Sequence, residues 1–164
     1  MGSKLLGNIC TCGKLGKILL AIAKIHKLSS RSIDFVLAFL QADLEIPVYM
    51  ELPLGFDALN NESRKLYVLR LNKSLYGLKQ AGYNWFAKLS NGLQDRGFVP
   101  SSVDPCVFFG TDCIVLTYVD DCIIVAKSML RIDELIKSLH GETRILSFKM
   151  KDQSINISGS TSSS

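Results

Sequence analysis

Asp120 and Asp121 are adjacent acids between two apolar, β-branched runs, Cys113 to Val119 and Cys122 to Ala126. Such runs read as strands, which puts both acids in the tight connection of a hairpin. An Asp-Asp pair at a turn is often plain turn chemistry. Here it lies among apolar neighbours, where charge needs a partner and a divalent cation is the natural one. A third acid, Asp34, interrupts the apolar run Ile33 to Leu40. A carboxylate in that setting is a paired group, a cap or a ligand. If its strand neighbours the hairpin, three carboxylates converge on one edge of a sheet, with no histidine or thiol nearby. Hard oxygen donors in that number select Mg²⁺ or Mn²⁺ over zinc, and two such ions can activate a 3′ hydroxyl and steady a leaving pyrophosphate.

The bulk properties narrow the setting. The 164 residues make one domain or a piece of one, 48% hydrophobic and 21% charged, as in soluble globular proteins. A net charge of +4 suits a nucleic-acid partner without demanding one. Five cysteines form no CxxC pair, and His26 and His140 are not spaced to them as a zinc site needs. Reduced thiols in an intracellular chain, cytoplasmic (particle-associated) or nuclear, are the simplest account, with Cys113 and Cys122 as small core residues. The apolar segment 18–25 is short and flanked or broken by Lys17, Lys24 and Lys27, so no membrane span is expected. Neither a cleavable signal nor a myristoylation pattern is evident.

Several elements must position the acids. Residues 1–14 carry little pattern. Leu15, Ile18, Leu19, Ile22 and Ile25 recur at helical spacing, and Ser29-Ser30-Arg31-Ser32 ends that helix. Val48 to Leu52 and Lys65 to Leu71 read as strands, with a polar loop between them. Asn72 to Gly82 is a turn. From Tyr83, the residues Trp85, Phe86, Leu89 and Leu93 form a core-facing stripe that ends at Arg96-Gly97. Asp104-Pro105 leads into a strand from Cys106 to Phe109, and the hairpin follows. Ser128 caps a helix from Met129 to Leu139. Arg144 to Met150 reads as one more strand, and the Ser-rich segment 153–164 as a disordered tail. Helices and strands in this order predict an antiparallel-rich α+β domain.

With these motifs in hand, the chain resembles a known family. Tyr118-Val119-Asp120-Asp121 resembles the active-site box of reverse transcriptases. Lys73-Ser74-Leu75-Tyr76-Gly77-Leu78-Lys79-Gln80-Ala81, with Trp85, resembles the signature of copia-type (Pseudoviridae) retrotransposon reverse transcriptases. Asp34 with Ala38-Phe39-Leu40, and later Val48-Tyr49-Met50 and Pro53, is similar to that family's first motif. Ser102-Val103-Asp104-Pro105-Cys106 falls where the family has its Ser-Asp-Pro-Cys segment. The motifs stand in register over roughly residues 15–152.

The resemblance implies a palm-like antiparallel sheet packed on helices, with fingers and thumb incomplete. It makes Asp34, Asp120 and Asp121 the ligands of two Mg²⁺ (or Mn²⁺) ions. Phe39 becomes the aromatic set against the sugar 2′ position, although spacing alone reads it equally well as a core residue. Gly77 stands where backbone approaches the nucleotide closely. Gln80 and Tyr118 fall on the substrate side, and Lys73 and Lys79 near phosphates, although single lysines are usually solvated surface charges. The implied partners are an RNA/DNA template-primer, deoxynucleoside triphosphates and the remaining parts of a polyprotein. Gly82-Tyr83 replaces the family's usual Pro-Arg, Phe35-Val36-Leu37 its Val-Lys-Thr, and Gln41-Ala42 its Asn-Gly. Residues 1–14 do not resemble the fingers region, so the chain is read as a palm fragment that does not polymerise in isolation. Two other readings stay open: a degenerate non-catalytic transposon remnant, and a palm-like nucleotide cyclase or phosphotransferase.

Overall fold

The computed structural model describes residues 12–53, 67–141 and 148–151. The first apolar repeat forms α1 (Cys12–Ile25). It closes through Lys27, whose φ of 53° is left-handed, while the Leu28 N–H donates to the Ala23 carbonyl at 2.7 Å. The strand β1 (Ser29–Phe35) follows at once. The serine-rich residues 29–32, expected only to end the helix, therefore form its first half. Beyond Phe35 the apolar run does not continue as strand: Leu37 turns left-handed (φ 52°), and residues 38–41 make a single helical turn, α2 (Ala38–Gln41).

The strands β2 (Asp43–Glu51) and β3 (Val68–Lys73) pair with each other as a separate two-stranded sheet. β2 begins at Asp43 rather than Val48 and stops before Leu52, while β3 runs on to Lys73 but leaves out Tyr67; the ladder shifts register between Asp43 and Val48. The helix α3 (Ala81–Gln94) buries Ala81, Trp85, Leu89 and Leu93, spaced four apart along one face. Gly82 thus belongs to the helix rather than to the turn before it. The helix ends as predicted on Gly97 (φ 80°), with Phe98 N–H donating to the Leu93 carbonyl at 3.1 Å. Then come β4 (Val99–Pro100), β5 (Val107–Phe109), β6 (Cys113–Tyr118), β7 (Asp121–Ala126), α4 (Met129–Gly141) and β8 (Phe148–Lys151). β4 is too short to give a sequence pattern. Of the strand expected over 144–150, residues 144–147 lie outside the described residues, as do residues 1–11, the polar loop over 57–64 and the tail. Ser128 Oγ accepts the Arg131 N–H at 3.4 Å, the capping geometry expected for α4.

The larger sheet runs β4-β5-β6-β7-β1-β8, and its pairings are antiparallel. Alternation along each strand then sorts residues between two faces. Ile33, Phe35, Val115, Cys122, Ile124 and Ala126 join Trp85, Leu89 and Leu93 of α3 and Ile132, Ile136 and Leu139 of α4 in one core. Leu116 and Ile123 face the other way, against α1, where a Cβ on Gly16 would sit 3.6 and 3.5 Å from them. The fold is α+β, an antiparallel sheet packed against helices. Cys106, Cys113 and Cys122 are buried and in no disulfide, and burial pushes the Cys113 thiol up to about 11.

The rim of this core is close-packed. A Cβ on Gly110 would fall 2.7, 3.0 and 3.1 Å from three ring atoms of the buried Phe98. Gly110→Ala is therefore expected to destabilise the fold by about 1–3 kcal/mol through overpacking, measured as a lower urea midpoint at unchanged slope.

Candidate active site

The site is built from the ends of two strand pairs. Tyr118 of β6 lies directly opposite Asp121 of β7, and Asp121 lies directly opposite Asp34 of β1. Residues directly opposite one another share a face, so Tyr118, Asp121 and Asp34 form one cross-strand row. Only Asp120 occupies the hairpin connection; Asp121, expected there too, is the first residue of β7. The connection is the two-residue loop Val119-Asp120, and Val119 has φ 53°. A β-branched residue is a backbone outlier there, in a position that hairpin loops usually give to Gly, Asn or Asp. Such strain persists where the surroundings over-determine it. Two hydrogen bonds do so. The Trp85 indole Nε1–H donates to the Val119 carbonyl at 2.5 Å, and the Phe35 N–H donates to the Asp120 carbonyl at 2.7 Å. Trp85 and Phe35 themselves pack edge to face, centroids 5.1 Å apart. The buried core thus sets the aim of Asp120 through backbone contacts.

A second pair of aromatic residues bears on the same carboxylates. Tyr76 projects from the turn after β3, its ring centroid 4.5 Å from that of Phe39 on α2. Burial, and then the negative charge of Asp120 and of Asp34, pushes the Tyr76 phenol above its ordinary range. Gly77, next in the chain, has φ 95°, and a Cβ there would meet nothing within 4 Å. Its backbone angle, rather than crowding within the chain, is what favours glycine.

The remaining predicted residues are placed less centrally. Gln80 precedes α3 and contributes its carbonyl to the Asn84 N–H at 2.9 Å. Lys79 is exposed. Lys73 is ion-paired with Asp43, which Lys88 also approaches at 3.8 Å. The Lys73 hydrogen bond holds the Asp43 carboxyl below the usual carboxylate range. Tyr118 and Asp121 border, with Gly16, Leu20, Leu116 and Ile123, a cavity of about 250 Å³ between α1 and the hairpin.

These acids supply hard oxygen donors, suited to Mg²⁺ or Mn²⁺. Among the described residues, however, no three His, Cys, Asp or Glu side chains are gathered into a closed metal-holding group. The carboxylates are neighbours rather than a cage. That still fits Mg²⁺, which is commonly held by one or two carboxylates and completed by water and substrate phosphates. Sequence reasoning missed two contributors. Trp85 was read as core and signature residue but not as a donor to the turn, and Tyr76 stood unremarked inside its motif beside Gly77.

Residues 14–158 match the family described as reverse transcriptase (RNA-dependent DNA polymerase). The chain belongs to that family. A Pol polyprotein from transposon TNT 1-94 of Nicotiana tabacum is 38% identical over 141 residues, 83% of this chain and 10% of that protein. One from transposon RE1 of Arabidopsis thaliana is 39% identical over 115 residues, 68% of this chain and 8% of that protein. The Ty1-DR4 Gag-Pol polyprotein of Saccharomyces cerevisiae is 32% identical over 129 residues, 75% of this chain and 8% of that protein. The copia-type resemblance drawn from the motifs is thereby borne out. The chain spans about a tenth or less of the length of these polyproteins. No solved structure matches it. Among the described residues, no helix is long and apolar enough to cross a membrane.

Proposed function

We propose that this chain carries the catalytic carboxylates of a palm domain in an RNA-directed DNA polymerase of a copia-type retrotransposon, adding deoxynucleotides to a primer 3′ end. The observation that carries this reading is the register that sets Asp34 opposite Asp121, with Asp120 fixed in the adjoining turn. Asp34, Asp120 and Asp121 would hold Mg²⁺ or Mn²⁺. Bound there, the cation would supply charge stabilisation at the transferring phosphoryl group and a lowered pKa at the 3′ hydroxyl. The chain's own task is positioning. Asp34 is fixed by pairing on both sides of β1, and Asp120 by the bonds from Trp85 and Phe35 on its turn. Holding reactants in attack geometry accounts for much of such a reaction's acceleration. In this reading Phe39, with Tyr76 beside it, would face the sugar 2′ position, and Gly77 would let a nucleotide or template approach the backbone closely. Template-primer, deoxynucleoside triphosphates and the rest of a polyprotein are the partners this reading requires.

The test is a product assay with Mg²⁺ or Mn²⁺ and nucleoside triphosphates, with and without an RNA template and DNA primer. Primer extension that disappears in Asp120→Asn supports the reading, and also overturns the expectation that the chain does not polymerise in isolation. A cyclic nucleotide formed without primer overturns the reading in favour of a cyclase. If neither product forms, metal-dependent binding of a deoxynucleoside triphosphate decides.

A further inference from the structure

We propose that Tyr76 is a positioning residue for sugar selection: its ring braces Phe39, so that the two rings together form the wall a 2′ hydroxyl would strike. This rests on the polymerase reading of Asp34, Asp120 and Asp121.

Phe39 cannot hold its own position. It sits on α2, a single turn of four residues entered through the left-handed Leu37, and so short a helix has no stability of its own. One side of its ring packs on the core, and Tyr76 meets it at 4.5 Å with a 40° tilt, a favourable aromatic geometry. Tyr76, by contrast, stands on an anchored turn. Ser74, 1% exposed, donates its N–H to the Ala42 carbonyl at 2.9 Å, and its Oγ accepts the Asn84 Nδ2–H at 3.3 Å. The Leu78 N–H closes the turn on the Leu75 carbonyl at 3.2 Å. Ala42 ties the two segments together, because its own N–H donates to the Phe39 carbonyl at 3.1 Å. The two rings are therefore carried by segments that share one backbone residue. Phe39 follows Asp34 by only five residues, through the left-handed Leu37, so the ring pair is tied to the stretch of chain that carries that carboxylate. Without the Tyr76 ring, Phe39 keeps its core contact but loses its backing and can change rotamer. A 2′ hydroxyl would then meet a wall that yields.

The experiment measures binding of dATP and of ATP to the full chain in the presence of Mn²⁺ by calorimetry. The unsubstituted chain is expected to prefer dATP by something on the order of 100-fold, the scale on which an apolar pocket resists an added hydroxyl. Tyr76→Ala is expected to lower that ratio by roughly tenfold or more, through tighter ATP binding rather than weaker dATP binding. Tyr76→Phe should keep the ratio. Adding Tyr76→Ala to Phe39→Ala should change it little further, as for residues acting as a unit. If Tyr76→Ala loses its circular dichroism, Tyr76→Leu, which keeps bulk but not the ring face, takes its place with the same expected fall. An unchanged ratio in Tyr76→Ala, with the ratio lost in Phe39→Ala, overturns the brace and leaves the polymerase site standing. Equal binding of both nucleotides, or none, by the unsubstituted chain overturns both.

Discussion

Trp85→Ala is expected to cost about 3–5 kcal/mol, the range for removing a large buried aromatic, and to lower the urea midpoint accordingly. Trp85 is 1% exposed and lies between α3 and the sheet, edge to face with Phe35. It is the single tryptophan of the chain, so unfolding is followed by circular dichroism rather than by its fluorescence. Trp85→Phe separates two roles. It keeps most of the apolar volume but removes the donor to the Val119 carbonyl, at a further cost of about 1 kcal/mol for the lost hydrogen bond. The left-handed Val119 would then rest on the Phe35 bond alone, and metal-dependent nucleotide binding is expected to fall by more than the loss of stability explains. If Trp85→Phe keeps wild-type nucleotide affinity, the indole serves packing only.

The second large effect is ligand-linked stabilisation. Mn²⁺ and dATP together, at about 100 times the dissociation constant of the complex, should stabilise the chain by about 2.7 kcal/mol. For a domain of this size that corresponds to a rise in Tm of about 5–11 °C. Asp34→Asn is expected to abolish the rise, since it removes one of the paired carboxylates facing across β1 and β7. Its own effect on Tm without ligand should be small or slightly positive, because close like charges repel. Either dATP or Mn²⁺ alone should give a much smaller shift, because among the described residues the carboxylates form no closed metal group by themselves, and such ions are commonly completed by substrate phosphates. An equal rise in Asp34→Asn would show that the nucleotide binds elsewhere.

What could be read in advance followed from local periodicity. The hairpin strands, the Trp85–Leu89–Leu93 stripe, the Gly97 cap and the Ser128 cap each depend on residues close in sequence. Three other features depend on long-range or backbone facts that composition does not carry. The polar run Ser29–Ser32 becomes strand because β7 pairs along all of it and β8 joins on the other side at Ser32. The break between β1 and α2 comes from Leu37, a residue with no turn signature that is nonetheless left-handed. The neighbourhood of Asp34, Asp120 and Asp121 was only conditional, since a register between distant strands is written in no single segment. The contact of Tyr76 with Phe39 and the Asp43 partner of Lys73 were invisible for the same reason. The donor role of Trp85 was hidden behind its plainer role as core.

The order of the large sheet also bears on self-association. At one edge lies β4, two residues long, one of them Pro100 with no N–H to offer. A strand so brief and so poor in donors is a weak template for a second chain, a known guard against edge-to-edge aggregation. Among the described residues the opposite edge is β8, Phe148–Lys151, with two lysines in four residues. A further strand is thus disfavoured beside β4, the edge of the sheet farther from the strand that carries Asp34.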